Sequence, residues 1–174
     1  FTWHIFCDQY VEAVKDRLYK PELYKEEKRK AAQNTLYTVL YRITQLLAPI
    51  SPHITEEIYE RIYSEKKGYK SIHLSPWPVP DEKCIDEEAE KNGDIIMTII
   101  TGVRREKAGR RIPLNSQIKR LKIYAGSNDL ANILHKGKDD IIGTCKIAEL
   151  KILPSEGEGR EAQGYPAIRF AIEY

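Results

Sequence analysis

The sequence predicts a mainly α-helical protein: a bundle of at least four helices followed by a small α/β lobe. Three observations carry that expectation. Apolar residues up to Pro113 recur at helical spacing. The prolines fall between the periodic segments and not inside them. Beyond Pro113 the pattern changes to strand-like alternation. The change of texture divides the chain into a helical bundle over residues 1–112 and an α/β subdomain over residues 113–174.

The first helix is expected over residues 1–19, with Trp3, Phe6, Tyr10, Ala13, Val14 and Leu18 along one stripe and Pro21 as its stop. The second runs over residues 26–47, its stripe formed by Ala32, Leu36, Val39, Leu40, Ile43, Leu46 and Leu47. Pro49 and Pro52 bracket its end. A third helix follows, capped by Ser51 or Thr55, with Pro52 tolerated in its opening turn. Ile54, Ile58 and Ile62 are spaced by four and predict its inner face. Lys66, Lys67 and Gly68 close it. Residues 69–83 hold Pro76, Pro78 and Pro80 and read as an extended crossing segment.

The run Ile95-Ile96-Met97-Thr98-Ile99-Ile100 has the β-branched content of a buried strand. Two features make it a fourth helix instead. Asp86, Glu87, Glu88 and Glu90 precede it and Arg104, Arg105 and Lys107 follow, the polarity a helix dipole favours. Ala89, Ile96, Ile99, Ile100 and Val103 keep the helical period. In the lobe, residues 118–124 alternate as a strand. Residues 129–136 form a short helix capped by Ser127 or Asn128, and residues 150–153 and 167–172 alternate again. The Gly- and Glu-rich stretch from Pro154 to Gly164 is expected to be a mobile hairpin tip.

The chain has 174 residues and a formal net charge of only +2, so any affinity for nucleic acid must come from charge placement. No apolar run reaches membrane-spanning length, and no cleavable leader pattern opens the chain. The first residue, Phe1, lies within an amphipathic pattern, which suggests a piece of a longer protein. Cys7, Cys84 and Cys145 are isolated thiols, and the four His residues lack zinc spacing, so no metal is expected. No phosphate-cradling Gly loop is present. Glu56-Glu57 and Glu87-Glu88 are adjacent pairs that cannot face each other on a helix and read as solvated surface. No catalytic set emerges.

The basic stretch is the candidate site. Arg104, Arg105, Lys107, Arg110, Arg111, Lys119, Arg120 and Lys122 share a short span with one acid, Glu106. Such a cluster neutralises phosphates and gains affinity from released counterions. The competing reading is a solvated helix end that balances its own acidic start. Arg104, Arg105, Lys107, Arg110 and Arg111 are the expected phosphate or base contacts. Tyr37, Tyr41, Tyr59 and Tyr63 either stack on unpaired bases or form core and bundle surface.

Three segments carry a resemblance. The first helix supplies Trp3, Phe6, Cys7, Asp8, Tyr10, Glu12 and Lys15. Leu46-Leu47-Ala48-Pro49 leads into Pro52-His53-Ile54-Thr55-Glu56-Glu57-Ile58-Tyr59. Ser71-Ile72-His73-Leu74-Ser75-Pro76-Trp77-Pro78 follows. Together with Ile85-Asp86-Glu87-Glu88-Ala89 and the cations after it, they resemble the anticodon-binding region of class I valyl-tRNA synthetases. Gln9 departs from the aromatic often found there. The likeness covers residues 1 to about 125 and is weak beyond.

The resemblance implies a helical bundle that grips the anticodon stem and loop of tRNA(Val) and does no chemistry. The parent's ATP- and Mg-dependent ligase reaction would lie in a catalytic domain with His-Ile-Gly-His and Lys-Met-Ser-Lys-Ser signatures, neither of which occurs here. It further implies that domain as a partner in cis, no cofactor in this chain, a cytoplasmic monomer without membrane contact, and an archaeal-like form with a short α/β tail. The second segment is shared with the isoleucine and leucine enzymes, so either remains an alternative. So does a helical interaction module with no RNA role.

Overall fold

The computed structural model describes all residues, Phe1–Tyr174. The expected helices and the C-terminal α/β lobe are both present. By their mutual contacts the residues form two units: residues 21–85 with Thr2, and residues 3–20 and 86–174 with Phe1. The boundary expected at 112/113 is not where the contacts divide the chain. The reason lies in the long helix α5, Glu87–Gly109. Its Ile95, Ile99, Ile100 and Val103 are buried in one core with Leu121, Ile123, Ile168 and Phe170 of the sheet. That helix therefore belongs with the lobe that follows it.

In the first unit, α2 spans Glu26–Leu47, the range the sequence predicts, and α3 spans Pro52–Ile62. Neither expected cap of α3 works as a side-chain cap. Ser51 occupies the position without a capping bond, and the Thr55 hydroxyl donates backward to the Ser51 carbonyl at 2.9 Å. A short α4, Ser64–Lys67, ends at Gly68 in the left-handed conformation (φ 75°). No side chain crowds Gly68, so backbone conformation alone calls for glycine there.

The inner face of α3 is not the isoleucine stripe. Ile54 and Ile62 are exposed, whereas Thr55, Tyr59 and Tyr63 are buried, the two tyrosines completely. Both sets are spaced by four, so periodicity does not separate them. Burial favours the tyrosines because each brings a large ring and finds a partner for its hydroxyl. Tyr59 donates to the Tyr69 carbonyl at 2.9 Å and accepts from the Tyr69 amide at 3.1 Å. Tyr63 donates to the Tyr37 carbonyl at 3.0 Å. Its ring centroid lies 4.8 Å from that of Tyr37 and 4.9 Å from that of Tyr41. Burial pushes the Tyr63 phenol up to about 12, with Tyr37 and Tyr41 adding to the shift. Glu56 is not idle surface either: its carboxylate accepts from the Ser71 hydroxyl and the Ile72 amide, holding the 3-10 turn Ile72–Leu74 in the crossing segment.

A π-helical stretch, Thr2–Val11, which from Trp3 onward belongs to the second unit, runs into α1, Glu12–Tyr19. The sheet has the order β2-β1-β4-β3, with β1 Ile118–Tyr124, β2 Ile147–Leu153, β3 Arg160–Ala162 and β4 Tyr165–Glu173. β1 pairs parallel with β2 and antiparallel with β4. A parallel pair needs a crossover, and here two helices supply it. They are α6, Asn128–Lys136, capped by the Ser127 hydroxyl, and α7, Lys138–Cys145. The sequence reading has no counterpart of α7.

α1 is tied to α7 by ionic contacts. Arg17 grips Asp140, with Nε 2.7 Å from Oδ1. Lys146, just past α7, reaches Asp16 at 2.6 Å. Burial pulls the Asp16 carboxyl up, but hydrogen bonds and charge from Lys146 and Lys20 outweigh it and leave the group below the usual range.

The stretch from Pro154 to Gly164 is largely exposed and ends in the expected hairpin, with β3 and β4 joined by Gln163-Gly164. Gly157 lies against the Tyr124 ring and Gly159 against the Phe170 backbone, each with no room for a Cβ. No helix is long and apolar enough to cross a membrane.

Candidate nucleic-acid interface

The basic stretch does not act as one strip. Folding sorts its eight cations by whether their side chains end in protein or in solvent. Lys107 ends in protein. It is completely buried, and its ammonium donates to the carbonyls of Leu114 at 3.0 Å, Ser116 at 2.6 Å and Cys145 at 2.8 Å. Burial pulls its pKa below the ordinary lysine value, the nearby Lys146 charge adding and Cys145 opposing. All three of its donors are engaged. Lys107 is therefore not a phosphate contact in this structure, a correction to the sequence reading. Its burial was hidden because the carbonyls it meets come from the loop after α5 and from the last residue of α7, 38 residues away.

Other members are neutralised on the sheet surface. Arg120 bonds Glu149 at 2.6 Å and Glu173 at 2.9 Å, and Lys119 meets Glu173 at 3.1 Å. Arg110 is exposed but bonds Glu106 at 2.8 Å and lies over the Tyr174 ring at 5.2 Å. Glu106 also accepts from Arg160. The Arg110 bond, helped by Arg160 against partial burial, holds the Glu106 carboxyl below the usual range. Arg104 sits 4.0 Å from Glu12.

Two of the five expected contacts remain exposed without an acidic partner. Arg105, on α5, is exposed, and its guanidinium donates to the neutral Gln163 side chain at 2.9 Å. Arg111, just past the helix, adopts a left-handed backbone (φ 58°). A non-glycine residue in that region is uncommon and carries a modest cost.

Arg105 stands where two grooves meet. One, of about 490 Å³, runs between the first helical segment (His4, Asp8, Gln9, Glu12) and α5 (Ile100, Thr101, Arg104, Arg105). The other, of about 450 Å³, continues along α5 toward Asp94 and is walled on its far side by β3, β4 and their connecting turn. Gln9, Met97, Thr101 and Arg105 line both, so the grooves form one trough. Its walls mix donors, acceptors, apolar carbon and both signs of charge. Such a surface suits a nucleotide loop better than a bare anion.

The tyrosines offered as stacking platforms divide in the same way. Tyr41, Tyr59 and Tyr63 are buried in the core and cannot meet a base. Tyr37 and Tyr41 carry the ammonium of Lys67 over their rings, at 5.7 and 4.6 Å. Sequence reasoning missed the second wall of the trough, made by Arg160, Gln163 and Tyr165. The available signal was Gln163-Gly164, a two-residue turn between short alternating segments. No group of three His, Cys, Asp or Glu side chains lies close enough to hold a metal ion.

Comparison with known proteins gives two findings. Residues 1–123 match the family model described as the anticodon-binding domain of tRNA ligase. Over its length the chain is similar to several archaeal proteins called valine–tRNA ligase. It is 43% identical to that of Pyrococcus furiosus over 162 residues, which is 92% of this chain and 18% of that protein. It is 42% identical to that of Methanothermobacter thermautotrophicus over 158 residues, 91% of this chain and 17% of that protein. It is 41% identical to that of Methanocaldococcus jannaschii over 172 residues, 99% of this chain and 18% of that protein. The chain thus spans less than a fifth of the length of these relatives.

Proposed function

The chain belongs to the family of anticodon-binding domains of tRNA ligases, and from that premise we propose that it holds the anticodon stem and loop of tRNA(Val) for a parent valyl-tRNA ligase. The valine assignment draws on the names of the relatives. In this reading the chain contributes grip and orientation. ATP and Mg²⁺ are used in the parent's catalytic domain, its partner in cis, and the parent works as a cytoplasmic monomer. A valine anticodon ends in A and C, and its loop bases are splayed so that their edges can be read.

The observation that carries the reading is Arg105, exposed, free of any acid, and placed at the centre of a trough wide enough for unstacked nucleotides. Arg111 supplies a second uncommitted charge at the helix end. Arg104 and Arg110 are secondary contacts, since each must leave or share a carboxylate to meet a phosphate.

The test is a salt titration of tRNA(Val) binding. Replacing Arg105 and Arg111 by Gln together flattens the dependence of log K on log salt by roughly one to two units, as expected for two lost phosphate contacts. Unchanged slope and affinity would remove both residues from the interface. Equal affinity for tRNA(Val), tRNA(Ile) and tRNA(Leu) would remove the valine assignment.

A further inference from the structure

We propose that the β3–β4 hairpin, which lies beyond the family-matched segment, forms one wall of a seat for a single unpaired RNA base. Tyr165 provides the stacking surface, and Gln163 and Gln9 read the base edge. The inference rests on the tRNA-binding reading and assigns part of that surface to the C-terminal lobe.

The hairpin is fixed against α5 at two points. Arg160 bonds Glu106, which Arg110 also holds, and Arg105 bonds Gln163. Its two-residue turn closes through Gly164 at φ 80°, a conformation that side chains rarely adopt. On the helix side, Gly102 lets the buried Phe170 ring lie against α5. A Cβ at that position would stand 2.9 Å from two ring carbons. Both walls are therefore set before any ligand arrives.

The space between them, about 450 Å³, is at the small end of ligand sites and admits one nucleotide, not a duplex. Its chemistry selects a base over a phosphate. Gln163 spends its carbonyl oxygen on Arg105 and keeps its NH₂ for a ligand. Gln9 offers both donor and acceptor, as do the hydroxyls of Thr98 and Thr101. Asp94 on the rim repels an anion inside the groove and accepts well from a base amino group, while Glu161 is paired with Arg169 at 2.9 Å. Arg105 lines the same groove with no acid bound to it and suits a flanking phosphate, whereas Arg160 is held by Glu106 and anchors the hairpin. Tyr165 is half-buried, with its ring supported by the core cluster.

The experiment is a double-mutant cycle on the full 174-residue chain, using an RNA hairpin that carries the valine anticodon loop. The protein variants are Tyr165→Leu and Gln163→Ala, and the RNA variants carry one abasic nucleotide at each loop position in turn. Loss of one stacked base corresponds to roughly a tenfold weaker affinity. Tyr165→Leu weakens binding by that factor. One abasic position weakens it equally, and the two together cost no more than either alone. Tyr165→Trp, which keeps a stacking face, restores affinity. Gln163 is exposed, so its replacement reports on the seat even if Tyr165→Leu folds poorly. Binding by the unaltered chain that Arg105→Gln weakens, while Gln163→Ala and Tyr165→Leu leave affinity within twofold, would overturn the hairpin seat alone. Failure of the unaltered chain to bind the hairpin at low salt would overturn both this inference and the reading beneath it.

Discussion

Replacing Lys107 by Met separates a structural cation from a ligand-binding one within the same short run of sequence. The ammonium makes three hydrogen bonds to carbonyls, at 3.0, 2.6 and 2.8 Å. Hydrogen bonds to a charged group contribute about 1.5–3 kcal/mol each after exchange with water, so three of them are worth no more than about 5–9 kcal/mol. Complete burial of the ammonium takes the value to the lower end of that range or below it. Methionine matches the stem but leaves the carbonyls unpaired, at about 1–3 kcal/mol for each one that water cannot reach. The expected net loss is about 3 kcal/mol, or a Tm lower by roughly 6–12 °C for a chain of this size. Thermal melting by circular dichroism measures it. Hydrogen exchange at the amides of Ile112 and Ile118, which bond the Lys107 and Lys146 carbonyls at 2.9 and 2.8 Å, locates it. Below its lowered melting point the variant binds RNA with an unaltered salt slope. A melting point within 1 °C of the original, together with a slope reduced by about one unit, would show that Lys107 faces phosphate after all and would refute the argument.

Three further outcomes follow from the packing. Gly102→Ala gains helix propensity but drives a methyl into the Phe170 ring, and overpacking of about 1–3 kcal/mol exceeds the gain, so urea denaturation shows a net loss of roughly 1 kcal/mol. Tyr63→Phe keeps the ring and loses the bond to the Tyr37 carbonyl, lowering stability by about 1 kcal/mol in the same assay. Asp16 and Glu106 hold their carboxyls below their ordinary values of 3.8 and 4.5. A depressed carboxyl contributes stability that is complete above its unfolded value and lost as pH falls through its folded one. Melting points therefore hold steady from neutrality down to those ordinary values and drop below them, and Asp16→Asn with Glu106→Gln flattens that acid limb.

The readable part of the fold was the part written in short-range terms. The range of α2 and the helical identity of α5 both follow from residues inside or beside the segment: prolines at one, an acidic start and basic end at the other. α7 was unreadable because Lys138–Cys145 carries Gly143 and little apolar periodicity, and its packing onto α1 depends on Asp16 and Arg17, far away in sequence. The inner face of α3 was misjudged because hydropathy ranks isoleucine above tyrosine, whereas the satisfied hydroxyls of Tyr59 and Tyr63 let the larger ring go inside. At the candidate site, charge density marked the segment that holds Arg105, but not which cations end in protein. That is decided by the carbonyls of Leu114, Ser116 and Cys145 and by carboxylates as far apart as Glu12 and Glu173.

The sheet order β2-β1-β4-β3 puts the first strand made between two made later, and its second neighbour, β4, is the last element of the chain. During synthesis β1 therefore leaves the ribosome with both edges open. One edge waits for the crossover helices and β2; the other waits for Phe170 and the residues around it. Until then the isoleucines of α5 lack Ile168 and Phe170, which close their core in the finished lobe. A nascent chain that has made β1 and β2 but not yet β4 thus carries an open strand edge through all of the intervening synthesis.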